Sequence, residues 1–205
     1  MIAIRNSSLE EYSKSFWCRE AVKNEGGTFA CEQIRNGASA LELLRRPHLP
    51  GDQRSSGHPY KLPSENNSIV RVMALDQGEI ENLIIHDYMI SATSKDGEWI
   101  RQRVGMVNSP KMKDLAEIFL ARHYFFDRRW QHDPQVRRYQ EWEAKGNLSN
   151  VLAGDDMPLI ECSGPHEFEI VDGWGRLLPF VALLVRTAPK GLPFAPIELY
   201  VATSN

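Results

Sequence analysis

An α+β fold is what this sequence of 205 residues predicts, and three observations carry the prediction. Helix-start signals recur across the first 46 residues, an extended run rich in β-branched residues opens at Ile69, and the segment from Met157 to Val201 passes from strand to helix and back to strand. The composition, 42% hydrophobic, 25% charged and 9% aromatic, is that of a folded chain. Its length suits one large domain or two small ones.

Charge and cysteine usage narrow the function classes. With 24 Lys and Arg against 27 Asp and Glu the formal charge is −3, so no global basic field draws the chain to a polyanion, and any nucleic-acid contact has to be local. Cys18, Cys31 and Cys162 are scattered without a Cys-x-x-Cys pair, and no basic and apolar leader opens the chain at Met1. Both features point to a cytoplasmic chain with reduced thiols. The longest apolar stretch, around Leu177 to Val185, falls far short of the roughly 20 residues that a membrane-crossing helix needs, so no membrane partner is expected.

Taken in order, Ser8 with Glu11 makes a capping-box pattern ahead of Leu9, Tyr12 and Phe16, whose spacing predicts a helix over 8–24. A second helical region begins near Phe29, breaks at Gly37, and restarts at a Ser39/Glu42 box before Leu41, Leu43 and Leu44. It must end before Pro47. Residues 1–46 thus read as a helical N-terminal region whose apolar faces need something else to pack on. From Pro47 to Ser68 turn-forming residues dominate, which predicts a loop or linker. His48 and His58 lie there without companion ligands.

Strands follow at 69–75, 83–85 and 88–90, and Asp96-Gly97 is a hairpin signal ahead of Trp99 to Val104. Ser109-Pro110 and Asp133-Pro134 each supply an N-cap and a first-turn proline for a helix, the first carrying Met112, Leu115, Phe119 and Phe126, the second Val136, Tyr139 and Trp142 and ending near Gly146. This pair interleaves Arg122, Arg128, Arg129, Arg137 and Arg138 with Tyr124, Phe125, Trp130, Tyr139 and Trp142. Such a mixture suits stacking on bases, but aromatics at helical spacing serve a core more often, and the core reading is preferred. His123 and His132, nine positions apart across a helix break, show no metal-ligand spacing. The sequence contains no phosphate loop, G-x-G-x-x-G, G-x-S-x-G or H-E-x-x-H.

The segment richest in chemistry runs Met157 to Cys162, turns at Ser163-Gly164-Pro165, and resumes as Phe168 to Asp172. Gly173-Trp174-Gly175-Arg176 then reads as a tight turn into an apolar helix over 177–185, and Pro196 to Val201 as a last strand. Two glycines at a strand-to-helix junction let a backbone approach a ligand, helix-start amides favour an anion, and Arg176 adds a positive fork.

This segment resembles the ParB/sulfiredoxin-like superfamily, whose strands end in a D-G-x-H-R or G-x-x-R type turn that leads into a helix and binds nucleotide phosphates. Here the motif reads I-V-D-G-W-G-R-L. The preceding P-L-I-E is similar to the family's P-I-x-V strand and the closing P-I-E-L-Y-V to its final strand; upstream, I-V-R-V-M-A-L-D and K-D-L-A-E-I-F are similar to its opening strand and first helix. The resemblance implies a mixed sheet with packed helices over residues 69–205, with a helical insertion near 121–150. Gly175 stands where the family often has His, and Trp174 where sulfiredoxin has its Cys, which disfavours sulfiredoxin chemistry; the G-E-R-R form of the partition proteins is missing too.

Carried over residue by residue, the resemblance implies Asp172 as a catalytic base or Mg²⁺-associated carboxylate, and Gly173, Trp174, Gly175 and Arg176 as a phosphate-binding turn. The function it implies is nucleotide binding, with ATP or CTP and Mg²⁺ as cofactors and phosphotransfer to a small molecule or nucleotide hydrolysis as the reaction. A non-catalytic binding protein for a protein or nucleic-acid partner is the alternative, nucleic acid not being favoured. A small-molecule tailoring enzyme with a pocket under the 47–68 loop is a further one.

Overall fold

The structure, a computed structural model, describes residues 1–22, 25–46, 49, 62–64, 69–85, 111–121, 134–146, 148, 151–164, 167–187 and 196–204. Strands expected over 88–104, Phe126, nearly all of the 47–68 loop with His48 and His58, His123 and His132, and the arginines and aromatics at 122–130 lie outside the described residues.

Side-chain alternation sets the sheet. In β2 (Ile69–Leu75), Val70 and Val72 pack on one face and Leu75 on the other; in β6 (Ile197–Thr203), Tyr200 and Ala202 side with the two valines, and Leu199 and Val201 with Leu75. Together with β1 (Ile2–Ser7), β3 (Ile84–Ile85), β4 (Leu159–Gly164) and β5 (Glu167–Asp172), they form one six-stranded sheet in the order β1-β2-β6-β4-β5-β3. It is mixed, since β1/β2, β2/β6 and β4/β5 pair antiparallel while β4/β6 and β3/β5 pair parallel. The protein is therefore a mixed α+β structure.

Helices cover both faces. Against Val70, Val72, Leu159, Val171, Tyr200 and Ala202 lie α1 (Leu9–Ala21), α2 (Glu25–Arg35) and α3 (Ala40–Arg45). Against Leu75, Ile160, Ile170, Leu199 and Val201 lie α4 (Gln77–Glu81), α5 (Met112–Ala121), α6 (Pro134–Lys145) and α7 (Trp174–Thr187). α7 is buried from Arg176 to Leu184, as the core layer between sheet and α5/α6 must be. Val136, Tyr139 and Trp142 sit in the same cluster, so these two aromatics of α6 offer no stacking platform.

The N-terminal region confirms its start signals in detail. Ser8 Oγ accepts from the Glu11 amide and Ser39 Oγ from the Glu42 amide, at 3.1 and 3.2 Å. Glu11 does not close a reciprocal box, because its carboxylate is engaged by Ser7 Oγ and Arg5. Glu10 instead reaches across to α3, accepting from the amides of Ala40 and Leu41 and from Ser39 Oγ. Trp17 Nε1 donates to the Ala40 carbonyl at 3.0 Å, locking α1 to α3.

Three expectations need correction. No strand was expected before Ser8, yet residues 2–7 form the edge strand; both its faces are open, with Ile2 69% and Ile4 49% exposed and a register shift between Ala3 and Arg5, so the pattern carries no buried alternation. The second helix starts at Glu25 rather than near Phe29, and Gly27 allows its close approach to α1, since a Cβ there would stand 2.2 Å from the Glu20 carbonyl carbon. The helix expected over 177–185 spans Trp174–Thr187, so Trp174, Gly175 and Arg176 belong to its first turn rather than to a tight turn ahead of it. A short α4, capped by a reciprocal Asp76/Glu79 box, lies between β2 and β3.

Candidate functional site

A fault in the sheet register decides where Asp172 points. Leu159 pairs with Asp172 and Ile160 with Ile170, which leaves Val171 as an extra residue on β5. Directly opposed residues share a face, so Asp172 lies with Leu159 on the α1 side, although strict alternation would set it beside Ile170 on the α7 side. One added residue thus turns the carboxylate toward the N-terminal helices.

Three donors converge on it. Tyr12 Oη and Arg19 Nη2 of α1 each reach Asp172 Oδ2 at 2.8 Å, and Arg176 Nη2 of α7 reaches the same oxygen at 3.0 Å. Tyr12 and Arg19 are seven positions apart, two turns of one helix face, and the Arg19 guanidinium lies 5.9 Å from the Tyr12 ring centre and 5.5 Å from that of Phe16. Tyr200 braces Tyr12 edge-on at 5.5 Å between centroids. The arginine side chains are 5% and 9% exposed, against 29% for Asp172, so the carboxylate is where solvent meets the cluster.

The electrostatics are lopsided. Burial pushes the Asp172 carboxyl up, but the Arg176 and Arg19 guanidinium groups and the Tyr12 hydroxyl more than reverse it, and the carboxyl ends below its ordinary value. Burial, and next the Asp172 charge, push the Tyr12 phenol well above its usual value, so Tyr12 stays a donor. Both guanidinium groups bond the same Asp172 oxygen. Among the described residues Arg176 donates only through Nη2, and its buried Nε has no acceptor.

The glycines have separate tasks. Gly173 adopts φ +97°, where a side chain is strained, and a Cβ there would stand 2.7 Å from Pro158 Cβ and 2.8 Å from Arg176 Nη2. Its open space is thus filled by the protein's own proline and guanidinium. Its carbonyl accepts from the amides of Arg176 and Leu177, both at 2.9 Å. Gly175 lets α6 approach, a Cβ there falling 3.2 Å from Gln135 Nε2. Pro179, four residues on, has no N–H to give the Gly175 carbonyl, and Arg138 Nη1 of α6 supplies a donor at 3.4 Å. Trp174, half-buried, packs against the α7-side core.

Of the expected residues, Asp172, Gly173 and Arg176 therefore meet in one cluster, while Gly175 and Trp174 make contacts of helix packing. Tyr12 and Arg19 escape sequence reading because they lie 160 and 153 positions from Asp172; the available signal was an arginine in line with Tyr12 and Phe16 on α1. Mg²⁺ does not fit at Asp172 Oδ2, which already accepts from three donors, two of them cationic. No described helix is long and apolar enough to cross a membrane. No family model, curated protein or solved structure matches the chain.

Proposed function

We propose that this protein binds an oxyanion, with the phosphates of ATP or CTP as its ligand class, at the Arg19–Asp172–Arg176 cluster, and that it does so without catalysis. The observation that carries the reading is the unspent binding capacity of Arg176, a buried guanidinium whose Nε lacks an acceptor, beside a carboxylate that it shares with Arg19. The start of α7, a helix of 14 residues, adds its positive end beside that group. The resemblance of residues 170–176 to the ParB/sulfiredoxin-like superfamily, and the mixed-sheet fold that it implies, point to the same ligand class.

Phosphotransfer and hydrolysis are less well supported, since a carboxylate held below its ordinary pKa by two arginines is a weak general base at neutral pH. Thermal unfolding with ATP, CTP and inorganic phosphate, with and without Mg²⁺, tests the proposal. A ligand at 100 times its Kd adds about 2.7 kcal/mol of stability if it binds only the folded chain. The expected result is a rise in Tm that does not depend on Mg²⁺, with the nucleotide recovered intact. No shift with any of the three would contradict it, and nucleotide turnover would restore the enzyme reading.

A further inference from the structure

We infer that Asp172 is a resident anion that an incoming ligand must displace, so that the carboxylate holds the site closed; the inference rests on the oxyanion reading above. Access carries the argument. Tyr12, Arg19 and Arg176 are all buried, and only the Asp172 side chain, 29% exposed, opens to solvent. A phosphate oxygen that is to meet both guanidinium groups arrives through the position of Asp172 Oδ2, the one atom on which Arg19 and Arg176 converge.

The neighbourhood permits that exchange. Arg19 packs over the Tyr12 and Phe16 rings, and the Arg176 side chain is 9% exposed with its Nη2 beside Gly173, so both cations are enclosed by groups other than Asp172. Asp172 sits at the last position of β5, next to Gly173, and turns out by a side-chain rotation toward water it already touches. No bond is made or broken in the exchange; one anion replaces another on the same donors. Asp172 then has the opposite effect from that expected of a metal ligand or base, because it competes with the ligand instead of assisting it.

Calorimetric titration of wild type and Asp172→Asn with ATP and CTP separates these outcomes. Without the competing charge, Asp172→Asn is expected to bind about tenfold tighter or more, since each 1.4 kcal/mol is a factor of ten. Binding by wild type with equal or weaker binding by Asp172→Asn overturns the inference and leaves the oxyanion reading standing. Binding by neither overturns both. Should Asp172→Asn not fold, the wild-type carboxyl ¹³C titration of Asp172 carries the test. Saturating ATP or CTP should raise its pKa toward the ordinary carboxylate range as the arginines are handed over, and an unchanged low value with ligand bound overturns the exchange.

Discussion

Tyr12 and Asp172 are 160 positions apart in the chain, and their side chains share a hydrogen bond of 2.8 Å. The contact joins the first helix to the junction of β5 and α7, across the register fault that turns Asp172 to the α1 side. Because the acceptor is charged and the phenol is buried, the bond belongs to the stronger class.

Replacing Tyr12 with Phe removes that bond and keeps the ring in its packing against Tyr200. Stability should fall by about 2 kcal/mol, read as a lower urea midpoint at unchanged slope. An unchanged midpoint would show that the bond contributes nothing to the docking of α1.

Arg176→Ala takes one of two cations from a largely buried carboxylate. Breaking a fully buried pair costs about 3–5 kcal/mol, and the partial exposure of Asp172 should bring this to about 2–3 kcal/mol. Arg19→Ala should cost a similar amount, and the double variant more or less than the sum, because both cations share one oxygen. Additive losses in chemical denaturation would contradict a shared centre.

The two glycines of the motif should separate cleanly. Gly173→Ala introduces a Cβ at φ +97° into contact with Pro158 and Arg176, and a loss of roughly 3 kcal/mol is expected. At Gly175 the added Cβ meets the movable end of Gln135, and the helical gain of about 1 kcal/mol from Gly to Ala offsets the adjustment. Equal effects on Tm would mean that both act as one turn.

Acid should weaken the fold through Asp172. Its folded pKa lies below its unfolded one, so between the two values the unfolded chain binds more protons and stability rises with pH. The contribution is complete above the unfolded value of about 4 and is lost as pH falls through the folded value. Glu10 and Glu11, also lowered, act with the same sign. Denaturation midpoints from pH 7 to pH 3 should drop below about pH 4, and less so in Asp172→Asn; identical pH profiles would contradict this.

Local signals were legible where local physics decides them. Ser8, Ser39 and Pro134 mark helix starts that the structure has, Ile69–Leu75 is a strand to the residue, and Gly146 at φ +62° closes α6. The edge strand was not legible, because Ile2 and Ile4 are exposed and bury no face. The site was legible by half. Asp172 and Arg176 are four residues apart and could be read together, but the facing of Asp172 depends on a bulge set by Leu159 and Ile160, and its partners Tyr12 and Arg19 arrive from another helix. Gly175 looked like part of a phosphate turn because nothing local shows that Gln135 and Arg138 pack onto it.

The most direct test of the central claim is the affinity of CTP and ATP for wild type and for Arg176→Gln, measured by calorimetry at low salt. Glutamine keeps much of the length and polarity and removes the charge and the unused Nε donor. The oxyanion reading predicts measurable binding by wild type and a loss of roughly ten- to a hundredfold in the variant, the worth of one charge-assisted contact of about 1.5–3 kcal/mol. Equal affinity in two folded proteins, or no binding by wild type, would contradict it and leave the cluster as a tie between α1 and the β5–α7 junction.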